Sequence, residues 1–474
     1  MRKNTLILCL SLLAGFSLSA CSNSHTLNTG LFGSTGSVAR DTAKGAQIED
    51  PEFWQGNITT VWGKLQQVPY TKLLANETIP DHNAGAWIKL AMIAKSDSTD
   101  TTQLVHHLEE WRALNPDHEA NALFPDNGTL NNLTTQAPPK NIVVMVPLQG
   151  PFAPLGNAVR NGYLNAYFAE LAKTSQQQTI TFYDTNSQTD LIALYQKAES
   201  QGADMIIGPL TKENVKKITD YGHFTHPTLL LNYTDLWYGA LPTNLYQFGL
   251  SPIDEAKQIA DKAWQSGHSH ALVITVNDEW GQHVLKSLNA EWQANGGTVV
   301  DTYYVTPTAD LSKDIPKLLH INTKEDQERS HDATENSKDA LEKQRRQDFD
   351  VIFLLVPPDK ARSIVPMLRF YYVTSTPIYA TSLIYEGKPQ PTKDTDLNGV
   401  FFCDIPALLQ APTNSDNPRL FAVGQDAYLI SLNLNRFLEL PNFPAYGATG
   451  ALSLDARHQF YRRLAWAQFH DGQP

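Results

Sequence analysis

The strongest constraint on this chain is a set of uninterrupted apolar runs. Residues 141–148 read NIVVMVPL, 271–276 read ALVITV and 350–356 read DVIFLLV. A strand with one wet face alternates apolar and polar residues. These runs do not alternate, so both faces of each strand must be covered. Between them lie segments with helical spacing. In 155–173, Leu155, Val159, Tyr163, Ala166 and Tyr167 share one side. Strand 179–183, helix 190–202, strand 204–208, helix 211–221 and strand 228–231 follow. A second set starts near residue 251. Ser251 is an N-cap before Pro252 at the first helical position, Asp254 and Glu255 suit that helix end, and Gly267 suits its far end. Strand 271–276, helix 281–294, Gly296-Gly297, strand 298–304, strand 350–356, helix 359–370 and strand 377–380 complete it.

This alternation predicts an α/β fold with two doubly wound parallel sheets, one per lobe. The two-lobed part should span 138–474, with lobe one about 138–250 plus 381–440 and lobe two about 251–380 plus 441–474. Residues 48–137 read instead as a short helical region. Trp87–Ile93 is a compact apolar helix. Leu104, Leu108, Trp111 and Leu114 form a helical stripe that Asn115-Pro116-Asp117 ends. Two such helices resemble the last hairpin of a TPR-like array, which should lean on the next domain. Residues 322–348 carry dense mixed charge and read as a solvated insertion in lobe two.

The first twenty residues read as a leader. Arg2 and Lys3 precede the apolar run 6–16, too short to span a membrane, and the segment ends Leu18-Ser19-Ala20-Cys21. That string resembles a bacterial lipobox, with Cys21 as the lipidated residue carrying a diacylglycerol and an N-acyl chain. Ser22 after the cysteine implies passage to the outer membrane. Residues 21–47 are Ser/Thr/Gly-rich and read as a lipid-anchored tether. Without Arg2 and Lys3 the chain keeps 35 basic against 49 acidic residues, a charge of −14. So acidic a chain lacks the basic footprint of a nucleic-acid binder. Its three cysteines, Cys9, Cys21 and Cys403, leave no disulfide framework in the exported part.

Several strings together are more specific. They are QG-PFAPLGNAVRNGYLNAYF after the first strand, YDTNSQ (183–188), IIGPLTKENV (206–215), RRQDFDVIFLL (345–355), YGATGALSLD (446–455) and RRLAWAQFHDG (462–472), with WRALNPDHEANALFP (111–125) upstream. In this order they resemble the LppC/LpoA lipoprotein family, over roughly 85–474. The resemblance implies a two-lobed fold of the type I periplasmic-binding-protein kind and a non-enzymatic outer-membrane regulator. Its partner would be a class A penicillin-binding protein whose transpeptidase it activates, with peptidoglycan as a further partner. The family usually carries a longer helical domain; here about 85 residues precede lobe one. The alternative is a solute receptor for an amino acid, peptide or muropeptide held between the lobes.

Catalytic signatures are missing: no GxxxxGK[ST], GxSxG or HExxH occurs. His106 and His107 point to different sides of a helix, and His268 and His270 lie in a loop. Cys403 reads as a core thiol, and Asp278-Glu279 as a helix cap. Gly150 suits a tight turn, while Gly156 and Gly162 suit close helix–sheet packing. Trp237-Tyr238 reads as loop aromatics packed on the lobe. No cofactor and no metal is expected. A small ligand, if bound, would sit on the turns at the strands' carboxyl ends. Those turns supply Gln149, Gly150 and Phe152, then Asn186 and Ser187, then Pro209 and Thr211, with Asn277 and Asp278 from lobe two.

Overall fold

The computed structural model describes residues 47–187, 190–234, 241–321, 345–410 and 415–474. The leader, Cys21, nearly all of the tether, Trp237-Tyr238 and residues 322–344 of the charged insertion lie outside the described residues. No described helix is long and apolar enough to cross a membrane.

Five helices open the described chain: α1 (Ile58–Gln67), α2 (Tyr70–Ala75), α3 (His82–Ser96), α4 (Thr101–Leu114) and α5 (Asn127–Thr135). Asn57, Asp81, Asp100 and Asp126 start α1, α3, α4 and α5, each accepting a backbone N–H of the first turn. Leu104, Leu108 and Trp111 are buried as their spacing predicts, but Leu114 is 79% exposed. Ten residues at 100° leave it about 80° off the stripe, in a last turn already capped by Asn115.

Lobe one holds β1 (Asn141–Val146), α6 (Ala153–Thr174), β2 (Thr179–Asp184), α7 (Leu191–Ser200), β3 (Met205–Ile207), α8 (Lys212–Tyr221), β4 (Thr228–Leu230) and β5 (Leu245–Gln247). Its sheet runs β2-β1-β3-β4-β5, all parallel. Lobe two holds α9 (Pro252–Gln265), β6 (His270–Val276), α10 (Glu279–Asn295), β7 (Thr298–Val305), α11 (Leu311–Leu318), β8 (Val351–Leu355), α12 (Pro358–Phe370), β9 (Ile378–Ala380) and β10 (Phe401–Asp404). The chain then returns through α13 (Pro418–Glu439), β11 (Ala445–Gly447), β12 (Gly450–Leu454) and β13 (Phe460–Arg463), and ends in β14 (Ala465–Gln468). The second sheet runs β14-β10-β9-β8-β6-β7, parallel except for β14. The strands 141–146, 271–276 and 351–355 lie inside these sheets, as their unbroken apolar pattern requires. Ser251 caps α9 through a 3.2 Å bond from the Asp254 amide.

Two lobe boundaries differ from the sequence expectation. Residues 381–410 were expected in lobe one, yet β10 lies between β9 and β14 in the second sheet. Residues 441–474 were expected in lobe two. Instead Ala445, Leu452, Leu454 and Phe460 pack into the lobe-one core with Val423, Tyr428 and Phe437 of α13, and only β14 returns. These strands are three to five residues long. Segments so short carry no face pattern that assigns them to a sheet, so long-range pairing decides. The three-residue β5 was unread for the same reason.

The helical region does lean on the two-lobed part. Leu440 and Phe443, just after α13, complete its core beside Trp62, Trp87 and Phe124. Trp62 Nε1 donates to Asn442 O at 2.7 Å, and Asn442 Nδ2 to Leu123 O at 2.8 Å. Arg436, 1% exposed, donates to Ser98 O and to the Phe443 and Pro444 carbonyls. Lys95 is buried with no carboxylate partner among the described residues. It donates to Gln66 O (2.9 Å) and Tyr446 Oη (2.8 Å), and burial together with nearby Arg463 lowers its pKa to about 7. Truncating Phe443 to Ala should cost about 3–5 kcal/mol, as for other buried aromatics. Denaturant titration of Phe443→Ala should show the helical region unfolding first. An unchanged single transition would contradict this packing.

Candidate functional site

The turns after the strands are built largely from one another. Gly150 sits at φ +72°. A Cβ there would lie 2.1 Å from Asn186 Nδ2, which donates to Gln149 O at 3.0 Å. Asp184 Oδ1 accepts from the Leu148 amide (2.7 Å) and the Asn186 amide (3.0 Å), and the Ser187 amide donates to Asp184 O (3.2 Å). The structure therefore brings Gln149, Gly150, Asn186 and Ser187 together. Phe152 stands at the start of α6, 49% exposed, with no side-chain cap. Pro209 follows a cis peptide, and its carbonyl accepts from the Leu231 amide. Thr211 precedes α8 without capping it.

In lobe two the Asn277 amide donates to Val305 O. Asp278 Oδ1 accepts from the Gly281 amide at 2.7 Å, so this carboxylate is spent as the cap of α10. The backbone groups of these turns and the side chains of Asn186 and Asp278 are thus committed within the protein. Among the described residues the side chains of Gln149, Ser187, Thr211 and Asn277 make no hydrogen bond, and Asp184 Oδ2 and Thr185 Oγ1 are buried without a partner. None of the nine candidate residues lines the groove of about 510 Å³ that opens beside Pro154, Asn157 and Asn161 of α6 and Asn417 and Phe421 at the start of α13.

That groove is shaped by two glycines. A Cβ at Gly162 would meet Phe421 O at 1.8 Å, and one at Gly424 would meet Val159 O at 2.1 Å. Gly162 therefore serves a helix–helix contact, not the helix–sheet contact expected. Gly156 abuts Pro147 O, beyond the end of β1.

The sequence reading missed a buried ionic cluster where the lobes meet. Arg419 of α13 holds Asp404 of β10 (Nε–Oδ1 3.0 Å) and donates to the Tyr385 and Ser382 carbonyls. Glu255 of α9 accepts from the Ser382 amide at 3.0 Å. Asp426 of α13 accepts from the Ala448 and Thr449 amides, both at 2.7 Å. Arg462 is 1% exposed, and its three guanidinium nitrogens find no hydrogen-bond partner among the described residues. Its charge still acts on Asp254, Glu255 and Asp426. Burial raises Glu255, and it raises Asp426 to about 6 against the pull of its three hydrogen bonds and of Arg462. Arg462 lies in one of the strings singled out above, but nothing in the spacing marked it as buried.

No group here is arranged as a nucleophile with its base. Cys403 is fully buried, and burial pushes its thiol well above the ordinary range. His107 Nδ1 lies 2.6 Å from Asp97 Oδ2, while His106 faces Glu110 on the exposed side. Among the described residues no group of three or more His, Cys, Asp or Glu could hold a metal ion.

The raised Asp426 gives a testable slope. The folded state binds this proton more tightly than the unfolded state, so Asp426 lowers stability as pH rises from about 4 to 6. Asp426→Asn removes that contribution. The slope of unfolding free energy against pH should become more positive over this window, whatever the variant's overall loss of stability. Parallel profiles for variant and parent would refute the assignment.

The comparisons agree with this architecture. The family model for LppC lipoproteins matches residues 44–472. The penicillin-binding protein activator LpoA of Photobacterium profundum is 26% identical over 436 residues, covering 88% of this chain and 69% of that protein. The crystal structure of Haemophilus influenzae LpoA superposes with a TM-score of 0.59 at 24% identity, over 89% of this chain and 74% of that one. The C-domain of the same Haemophilus protein, described as a regulator of PBP1A, gives 0.57 at 24% identity, over 70% of this chain and 98% of that one. The two-lobed part has the type I periplasmic-binding-protein fold, with the helical region before it. The chain belongs to the LppC lipoprotein family.

Proposed function

We propose that this chain is an outer-membrane lipoprotein that binds a class A penicillin-binding protein from the periplasmic side and raises its transpeptidase output. The observation that carries this is the family match over 44–472, with relatives named as penicillin-binding protein activators. Cys21 would carry the diacylglycerol and N-acyl chain, since two or more chains give stable anchoring. Residues 22–47 would let the folded part stand off the membrane, with a typical span of ~25–30 Å and a limit of about 90 Å.

The protein acts by binding, with no chemistry of its own. An activator must bind the active conformer of its synthase better than the idle one. Raising a sparse active conformer tenfold takes about 1.4 kcal/mol of differential affinity, which a modest interface supplies. The solute-receptor reading rests on the fold alone, and two of its candidate side chains, Asn186 and Asp278, hold the turns themselves.

The test is peptidoglycan crosslinking by the host's purified class A synthase with and without the chain. Crosslinking should rise with saturable binding; no binding and no change would overturn the proposal. Shortening the tether by deleting residues 25–44 should leave activation in solution intact and lower crosslinking in cells. Equal crosslinking in cells would remove the role assigned to the tether.

A further inference from the structure

The groove between α6 and α13 carries three carboxamides on its described lining. Asn157 and Asn161 project from α6, and Asn417 ends the lead-in to α13. Among the described residues the side chains of Asn157 and Asn417 make no hydrogen bond, and Asn161 Oδ1 accepts long 3.4 Å contacts from the Arg160 guanidinium. Asp416 stands exposed at the rim, and Phe421 closes the apolar wall. The Gly162 and Gly424 contacts fix the helices that carry these groups. The backbone that carries these amides is therefore fixed, with Asn161 exposed and Asn157 and Asn417 half-buried. The volume of about 510 Å³ falls within the ~300–1,000 Å³ usual for small-ligand sites.

The chemistry narrows the occupant. An amino acid needs a cation for its carboxylate; the described lining holds no Lys or Arg, and Arg160 beside it is turned onto Asn161 at 3.4 Å. A nucleotide or other polyanion would meet Asp416 and a chain of net charge −12. Three carboxamides, each offering two donors and an acceptor, suit an uncharged ligand rich in hydroxyls and amides. A rim carboxylate accepts from paired hydroxyls, and an aromatic wall suits the C–H face of a sugar ring or an acetyl methyl. We infer that this groove binds an N-acetylated glycan, with Asn157, Asn161 and Asn417 reading its acetamido and hydroxyl groups. The choice of such a glycan rests on the synthase reading, since this is the class of polymer the partner would lengthen and crosslink. An activator holding a strand here would sense its partner's substrate or product.

The probe is chitotetraose, the β-1,4-linked tetramer of N-acetylglucosamine, titrated calorimetrically into the full chain in detergent. Cellotetraose, which lacks the acetamido groups, and glutamate are the controls. Chitotetraose should bind saturably, at least tenfold tighter than cellotetraose. Asn157→Ala and Asn417→Ala should each weaken it several-fold, and the pair at least tenfold. Gln282→Ala, on α10 away from the groove, should leave it unchanged. The melting temperature should not fall, because among the described residues these two amides make no side-chain hydrogen bond and Ala is the better helix former at position 157. Asn157→Gln, which keeps the carboxamide but displaces it, serves as a second variant if Asn157→Ala is unstable. No saturable binding, equal binding of cellotetraose, preferred binding of glutamate, or binding that survives the double variant would each overturn the inference. Crosslinking measured alongside separates the two readings. Activation without glycan binding refutes the groove alone, and glycan binding without activation refutes the synthase reading and leaves the groove.

Discussion

Everything in this molecule depends on how closely α13 can approach α6. The two helices touch backbone to side at Gly162 and Gly424, where any side chain would drive a Cβ to within about 2 Å of a carbonyl oxygen. That contact seats Val423, Ala427, Tyr428 and Ile430 in the lobe-one core. The near end of α13 then meets lobe two through Arg419 and Asp404. Its far end meets the helical region through Arg436, Leu440 and Phe443. This 22-residue segment, helical on both sides of a kink at Asn433, thus touches all three parts of the protein. Movement of either lobe against the helical region must strain or shift it.

The charges around this helix are costly. Arg436 and Arg462 are both 1% exposed, and Asp404 and Asp426 are 0% and 2% exposed. Removing such groups from water costs several kcal/mol per ion before any pairing. Arg419 and Asp404 recover part of this through direct bonds, and Arg436 through main-chain carbonyls. Arg462 is held only by the field of its acidic neighbours. Such an ion adds little stability. It lies where the chain passes from β13 to β14, one of the crossings between lobes.

A binding protein without chemistry fits this construction. The backbone groups of the strand-end turns are used to fix the turns, the Cys403 thiol is buried, and His106 and His107 are paired with Glu110 and Asp97. The groove amides stand on α6, at Asn157 and Asn161, and at Asn417 before α13, the helix that joins the parts. A regulator needs such a surface, positioned on rigid elements and coupled to the rest of the fold.

The sequence by itself determined the α/β class, the order of the long buried strands and most helix starts. It also determined the stop after Leu114 and the dependence of the short helical region on its neighbour. These are local facts: a run such as NIVVMVPL admits one environment, and Ser251-Pro252 one helix position. The ordered family strings were legible too, since each is contiguous. The tertiary structure alone decided where the strands of three to five residues belong, so residues 381–410 and 445–463 exchanged lobes relative to the sequence reading. It alone revealed that Gly162 faces a helix, that Arg462 is buried among carboxylates, and that Asn157, Asn161 and Asn417 share one groove. Each of these depends on pairing between residues far apart in the chain. Composition and period carry no record of such pairing, because the energy that selects it arises only when the distant surfaces meet.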